Sequence, residues 1–247
     1  STEGCRDSIT KAVTIDSLPN LTTNPLKKRI CSNTHTNITL TSIVTGTQFS
    51  WTASSPSMNI TGYSDNTTIP STFIDQTLVN SGNTIDTVYY TITPHKNTCT
   101  GHDTTYKVAV VPVPLLTNNP LSLSICDSTT ANINLTSNHD STKFTWTCTA
   151  SSANLSGYAD NTTTPVTVIN QLLYNSGYTI DTVTYHILPG AFGCQGTITE
   201  FKVIVYPFPD LSNTPLADTI CNNIPTNILL TSHVPGTLFT WTCIPSS

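Results

Sequence analysis

Apolar and polar residues alternate in short runs along most of this chain. Between positions 37 and 43, Ile38 and Leu40 fall on one face while Asn37, Thr39 and Thr41 fall on the other. Phe49, Trp51 and Ala53 form the next inward set, followed by Val88, Tyr90 and Ile92, then by Tyr106, Val108 and Val110. A period of two means that one face of each segment is buried, which predicts β-strands. Gly, Asn and Pro punctuate the runs and predict turns. The same series returns downstream as Ile133, Leu135, Phe144, Trp146, Val183, Tyr185, Ile187, Phe201, Val203 and Val205.

The recurrence has a fixed period. Cys31, Cys126 and Cys221 are 95 and 95 residues apart, as are Trp51, Trp146 and Trp241. Cys5, Cys99 and Cys194 are separated by 94 and 95 residues. Phe-Ser-Trp-Thr at 49–52 returns as Phe-Thr-Trp-Thr at 144–147 and 239–242, and Asn-Ser-Gly at 80–82 returns at 175–177. A period of this size marks tandem structural units. The expected division is the tail of one repeat at 1–22, complete repeats at 23–117 and 118–212, and the start of another at 213–247. Pro112-Val113-Pro114 and Pro207-Phe208-Pro209 lie just before the boundaries and predict short, stiff linkers. About seven short strands in about 95 residues, with a Cys, a Trp and a later Cys, predict an all-β fold of tandem immunoglobulin-like sandwiches. Gln76 and Gln171 interrupt the apolar phase between Ile74 and Leu78 and between Ile169 and Leu173, where a bulge is the simplest expectation.

Composition narrows the partners. Charged residues make up 9% of the chain, against roughly 25% in an average soluble protein, so Thr, Ser and Asn carry the polar surface. The net charge of −5 argues against nucleic acid, which needs clustered cations. Lys27, Lys28 and Arg29 form the one basic run, read as a solvated face. The apolar runs are far too short to cross a bilayer, so no membrane insertion of this segment is expected. The chain opens in mid-repeat and reads as a window on a longer protein, so the lack of a leader says nothing.

Eight cysteines at regular spacing point to an oxidising compartment. Two connectivities follow from the spacing. Pairing within a repeat joins Cys31 to Cys99 and Cys126 to Cys194; pairing across a linker joins Cys5 to Cys31, Cys99 to Cys126 and Cys194 to Cys221. The first is expected, on the premise that Cys31 and Cys99 share one end of a domain, because a disulfide needs Cα atoms about 4.4–6.8 Å apart. Cys148 and Cys243 follow the tryptophan by two and share its inward phase, so they are read as small buried thiols.

No nucleophile elbow, phosphate loop, zinc-protease helix motif or Cys-x-x-Cys pair occurs. None of the six histidines recurs at one position in both complete repeats, and Glu3 and Glu200 are the only glutamates. The chain is therefore expected not to be an enzyme and to carry no cofactor and no metal. The Gly-Tyr-x-Asp-Asn loops at Asp65 and Asp160 are read as hydrogen-bonded turns rather than cation sites. One short motif is dense: Asp, then Ser or Thr, then an aliphatic residue or Thr, beginning at Asp7, Asp16, Asp86, Asp103, Asp127, Asp140, Asp181 and Asp218. It reads equally well as a strand-starting cap or as a glycosylation sequence.

The phrases Ile-Cys-Ser, Asn-Ile-x-Leu-Thr-Ser, Phe-x-Trp-Thr, Ile-Thr-Gly-Tyr-Ser and Thr-Val-x-Tyr-x-Ile-x-Pro, followed by a Cys, resemble the PKD-like repeats of very large Bacteroidota surface adhesins. The SprB-type gliding adhesins are the best-known group. The resemblance covers essentially the whole chain. It implies an immunoglobulin-like fold, type IX secretion and a surface filament that contacts a substratum. It also implies O-glycosylation within the Asp-Ser/Thr motif, at Ser8, Ser17, Thr87, Thr104, Ser128, Ser141, Thr182 and Thr219. The competing acceptors are the Asn-x-Ser/Thr sites at Asn20, Asn37, Asn59, Asn66, Asn134, Asn154 and Asn161. The chain departs from a two-cysteine repeat at Cys148 and Cys243.

The expected function is a structural stalk or filament segment of a secreted, extracellular cell-surface adhesin, used in gliding or attachment. Its expected partners are neighbouring repeats of the same chain and an external surface or glycan. The alternatives are a glycan- or protein-binding array and spacer domains of a secreted multidomain enzyme.

Overall fold

The computed structural model describes residues 4, 8–13 and 15–244. Cys5 and Asp7 lie outside them. The chain divides into two compact units, Ser1–Pro112 and Val113–Ser247. No helix occurs among the described residues.

In the first unit the strands are β1 (Lys27–Cys31), β2 (Thr34–His35), β3 (Ile38–Thr39), β4 (Gln48–Ser54), β5 (Ile60–Thr61), β6 (Asn66–Ser71), β7 (Phe73–Ile74), β8 (Thr77–Asn80), β9 (Asp86–Lys96), β10 (Cys99–Thr100) and β11 (Thr104–Val111). One sheet has the order β1-β11-β9-β4-β6, with β10 folded back on β9. The facing layer holds β2-β8-β5 and the pair β3-β7. The second unit repeats this with β12 (Ser122–Cys126), β13 (Thr129–Asn134), β14 (Lys143–Ala150), β15 (Leu155–Ser156), β16 (Asn161–Val166), β17 (Val168–Asn175), β18 (Asp181–Ala191), β19 (Cys194–Gln195) and β20 (Thr199–Tyr206). Its sheets are β12-β20-β18-β14-β16 and β13-β17-β15. The all-β tandem sandwich expected from the alternation is present.

Both cores are built from the alternating sets. Val88, Tyr90, Ile92, Val108 and Val110 are fully buried, and so are Val183, Tyr185, Ile187, Val203 and Val205. Each large apolar side chain removed from water contributes about 1.5–3 kcal/mol. Ala53 and Cys148 pack at the core margin. The indole N–H of Trp51 donates to the Ser64 carbonyl at 3.2 Å, and that of Trp146 to the Ala159 carbonyl at 3.1 Å.

One residue makes the facing layer continuous in the second unit and broken in the first. Thr36 stands where the second unit has Ala131, and both are fully buried. The Thr36 hydroxyl donates to the Ile74 carbonyl and accepts from the Gln76 N–H, each at 2.9 Å. A side chain thus takes over ladder groups, as threonine hydroxyls do when they compete with the backbone, and β2/β3 and β7/β8 separate there. Ala131 cannot do so, and β13 pairs with β17 without interruption from Thr129 to Asn134.

Candidate functional site

Each sandwich has two ends, and the repeated polar residues gather at them. At one end lies a hairpin. In the second unit Ala191 pairs with Cys194 across Phe192-Gly193, whose φ values are +52° and +84°. Two positive φ values in a two-residue loop are the signature of a type I′ turn, which matches strand twist. The incoming chain docks here: a Cβ on Gly196 would lie 1.8 Å from the Pro114 carbonyl oxygen, and one on Gly101 would lie 2.0 Å from that of Pro19. Only glycine admits so close a backbone. The incoming segment is then clasped by the loop before β4 or β14, through Thr22 N–H to the Thr41 carbonyl at 2.7 Å and Thr117 N–H to the Thr136 carbonyl at 2.9 Å.

The chain leaves at the opposite end. β1 runs parallel to β11 with Cys31 opposite Val111, and β12 runs parallel to β20 with Cys126 opposite Tyr206. Buried Asn80 and Asn175 close this exit end and account for the repeated Asn-Ser-Gly. The Asn80 amide donates to the Thr84 carbonyl at 2.8 Å and the Val110 carbonyl at 2.9 Å, and it accepts from Gly82 N–H at 2.9 Å. Asn175 does the same with Thr179, Val205 and Gly177.

This geometry corrects the expected disulfides. Cys31 lies level with Val111 at the exit end, whereas Cys99 pairs with Lys96 in the hairpin. The whole of β9, Asp86–Lys96, lies between those levels. At about 3.3 Å per residue that is about 36 Å, against a limit of about 6.8 Å between bonded cysteines. The same strand length separates Cys126 from Cys194. Cys31 and Cys194 each take part in a disulfide, but Cys99, Cys126, Cys148, Cys221 and Cys243 carry free thiols. Neither Cys31–Cys99 nor Cys126–Cys194 is formed, nor is the linker pair Cys99–Cys126. The premise failed because β1 pairs parallel to the last strand, which places its final residue at the exit.

Cys148 is a free thiol, as its phase predicts, but half-buried rather than buried. Its Sγ lies 3.3 Å from the Ala159 carbonyl. Burial first, then the charge of Asp160, pushes the thiol up to about 12. Cys243 is instead exposed.

Gln76 and Gln171 serve a purpose that a bulge does not explain. The hydroxyls of fully buried Tyr90 and Tyr185 donate to Gln76 Oε1 and Gln171 Oε1, both at 2.8 Å. The same amides hold the Gly-Tyr loops: Gln76 accepts from Ser64 N–H at 3.1 Å and donates to its carbonyl at 2.8 Å, and Gln171 does so with Ala159 at 3.2 and 2.8 Å. Asp65 and Asp160 cap the adjoining strand by accepting from the N–H groups of Ala53 and Cys148 at 2.7 and 2.8 Å. These loops are hydrogen-bonded turns. No group of three or more metal-ligating side chains occurs among the described residues.

The Asp-Ser/Thr positions fall into two groups. Ser8, Ser17, Ser128, Ser141 and Thr219 are exposed, and Thr87, Thr104 and Thr182 are half-buried. Several of the aspartates act as caps: Asp86 accepts from the Ser57 hydroxyl at 2.6 Å, Asp103 from Thr93 at 2.7 Å and Asp181 from Ser151 at 2.9 Å.

The basic run forms a shallow shelf on the first unit with Thr87, Tyr89 and Lys107. The Lys107 ammonium stands 5.7 Å from the centre of the Tyr89 ring. The second unit has Ser122, Ser124 and Thr184 where the first has Lys27, Arg29 and Tyr89.

The profile of the PKD-like domain matches residues 28–114 and 123–209. No curated protein sequence matches the chain. Among solved structures, the two immunoglobulin domains of DIP-gamma are 7% identical, with 78% of this chain and 99% of that chain covered at a TM-score of 0.40. The insect immune protein hemolin is 10% identical over 77% of this chain and 47% of its own, at 0.34. Cadherin domains 1–4 of protocadherin gamma B7 are 14% identical over 89% and 60%, at 0.36. Among the described residues no helix is long and apolar enough to cross a membrane.

Proposed function

The chain belongs to the PKD-like domain family, with two copies in tandem, and on that basis we propose that it is a stalk segment of a large extracellular cell-surface adhesin. In this reading the repeats are serial spacers, phased as 23–117 and 118–212 between parts of a preceding and a following repeat. They hold a remote adhesive part away from the cell, in surface attachment or in gliding of the SprB type. Their role is mechanical rather than catalytic.

The observation that carries the proposal is the path of the chain through each sandwich. It docks at the hairpin, at Pro19 and Pro114, and leaves at the far end, past Val111 and Tyr206. A domain threaded end to end adds its own length to a fibre, about 36 Å for an eleven-residue strand. Glycans on Ser8, Ser17, Thr87, Thr104, Ser128, Ser141, Thr182 and Thr219 would supply the hydration that a surface with 9% charged residues lacks. Small-angle scattering from arrays of two, four and eight repeats tests the stalk. The maximum dimension should rise by a constant increment of about 36 Å per repeat. Collapse to a size that does not grow linearly would refute it. Intact-glycopeptide mass spectrometry tests the acceptors, and glycans on Asn-x-Ser/Thr alone would reject them.

The Lys27, Arg29, Lys107 and Tyr89 shelf favours a second reading for the first repeat. Cations beside an aromatic ring suit an acidic saccharide. Retention on an acidic-polysaccharide column that is lost in K27S/R29S/K107S would support it, and identical elution of both proteins would dismiss it.

A further inference from the structure

The clasp on the incoming segment is built three times, with different chemistry each time. Its linker position holds Asn20, Leu115 and Asp210 in turn. The facing loop holds Ser42-Ile43, Ser137-Asn138 and Ser232-His233 at the same period of 95. In the first clasp the Ser42 hydroxyl donates to the Asn20 side-chain oxygen at 3.0 Å. In the second, Asn138 accepts from the Leu115 N–H at 2.8 Å and donates to the Val113 carbonyl at 3.1 Å. In the third, the Asp210 carboxylate accepts from the His233 ring Nδ1 at 2.6 Å, the His233 backbone N–H at 2.9 Å and the Ser232 hydroxyl at 2.8 Å. Neutral groups make these bonds in the first two clasps, and a titratable pair makes them in the third.

The third clasp has one more member. The His233 ring lies 4.7 Å from the Tyr178 ring, with 32° between their planes. Tyr178 follows Asn-Ser-Gly in the loop between β17 and β18, where the first repeat has Asn83. Asp210 comes from the linker after β20, and all three residues belong to the compact unit Val113–Ser247. The His233 ring thus touches both a loop of the second repeat and the linker that leaves it. We propose that His233 is an acid-responsive latch: a proton on its ring ties it to the Asp210 carboxylate and sets a cation against Tyr178, so that the joint after the second repeat stiffens as pH falls.

Histidine is the side chain whose ordinary charge change falls between pH 5 and 8. The titratable groups facing the ring are the Asp210 carboxylate from the linker and the Tyr178 phenol from the β17–β18 loop. Hydrogen bonds, from the His233 ring first and then from the Ser232 hydroxyl and the His233 N–H, hold the Asp210 carboxyl down from its ordinary 3.8 to about 2. Asp210 therefore stays ionised throughout the histidine range. A protonated ring meets a full negative charge on one partner and the electron-rich face of a phenol on the other. A neutral ring loses both attractions, and one of its two tautomers lacks the Nδ1 proton. The latch tightens as pH falls through the histidine range and opens only when the carboxylate itself takes a proton, as pH falls toward about 2. The His233 and Asp210 side chains are 56% and 35% exposed, so the effect is that of a surface pair, about two- to five-fold in the clasp equilibrium.

Amide hydrogen exchange followed by NMR on the 247-residue chain tests the latch. The Ser212 amide reports on it, because it donates to the Thr231 carbonyl at 2.8 Å across the clasp. The Thr22 amide, bonded to the Thr41 carbonyl in the first clasp, is the reference. After division by the intrinsic exchange rate at each pH, Ser212 protection should rise about two- to five-fold from about pH 8 to about pH 5, while Thr22 protection stays level. H233N brings in the side chain that Asn138 supplies to the second clasp, and D210N leaves the ring facing a neutral amide. Either should hold Ser212 protection level across the range. Y178N, which brings in the side chain that the first repeat has at Asn83, should reduce the rise. Equal Ser212 protection at both pH values in the unaltered chain, or a rise that persists in H233N or D210N, would overturn the latch. An undiminished rise in Y178N would remove Tyr178 from it. The latch needs no repeat beyond this chain, so an array that fails to lengthen would refute the stalk and leave the latch standing.

Discussion

Replacing Gln171 by leucine tests the view that a polar side chain was placed at an apolar phase to satisfy a buried tyrosine. The substitution removes three hydrogen bonds: from the Tyr185 hydroxyl at 2.8 Å, from Ala159 N–H at 3.2 Å and to the Ala159 carbonyl at 2.8 Å. The Ala159 carbonyl keeps the Trp146 indole, and its exposed N–H turns to water. The tyrosine hydroxyl has no such recourse, because Tyr185 is fully buried. An unsatisfied buried hydroxyl costs about 1–3 kcal/mol, so Q171L should cost about 2 kcal/mol. Y185F alone removes one ordinary bond and should cost about 1 kcal/mol. In the double variant no hydroxyl is stranded, so it should be no less stable than Q171L, a coupling of about 1 kcal/mol. Hydrogen exchange resolved by peptide suits a two-domain chain. Amides of β18 and β20 should exchange roughly 30-fold faster in Q171L, at about 1.4 kcal/mol per tenfold, while β9 and β11 serve as the unchanged reference. Additive effects of Q171L and Y185F, or an unchanged rate in Q171L, would refute the reasoning.

Two other outcomes are expected. G196A should break the docking of Pro114, costing about 1–3 kcal/mol and deprotecting the Thr117 amide, which hydrogen exchange would detect. Burial raises Tyr90 and Tyr185 above their ordinary 10.0, and burial with the Asp160 charge raises Cys148 from 9.0 to about 12. The unfolded chain ionises these groups first, so stability is complete below their unfolded values and is lost as pH rises. Urea midpoints should fall from about pH 9 in the second repeat and from about pH 10 in the first. Each group contributes at most about 1.4 kcal/mol per pH unit, less for the half-buried thiol that solvent reaches. C148A should remove the earlier onset.

What the sequence determined by itself was everything local and everything periodic. Alternation at Ile38, Leu40, Phe49 and Trp51 specified which faces are buried, because a strand turns each successive side chain to the other face. The repeat of Cys, Trp and Asn-Ser-Gly specified how many sandwiches there are, because equal sequences at equal spacing fold alike. Tertiary structure decided what depends on strand direction and on neighbours distant in sequence. Cys31 and Cys99 sit about 36 Å apart rather than together because β1 pairs parallel to β11, and no residue of β1 announces its orientation. Gln76 and Gln171 look misplaced along their own strands. Only the packing of one sheet on the other sets them against Tyr90 and Tyr185, whose hydroxyls cannot reach water.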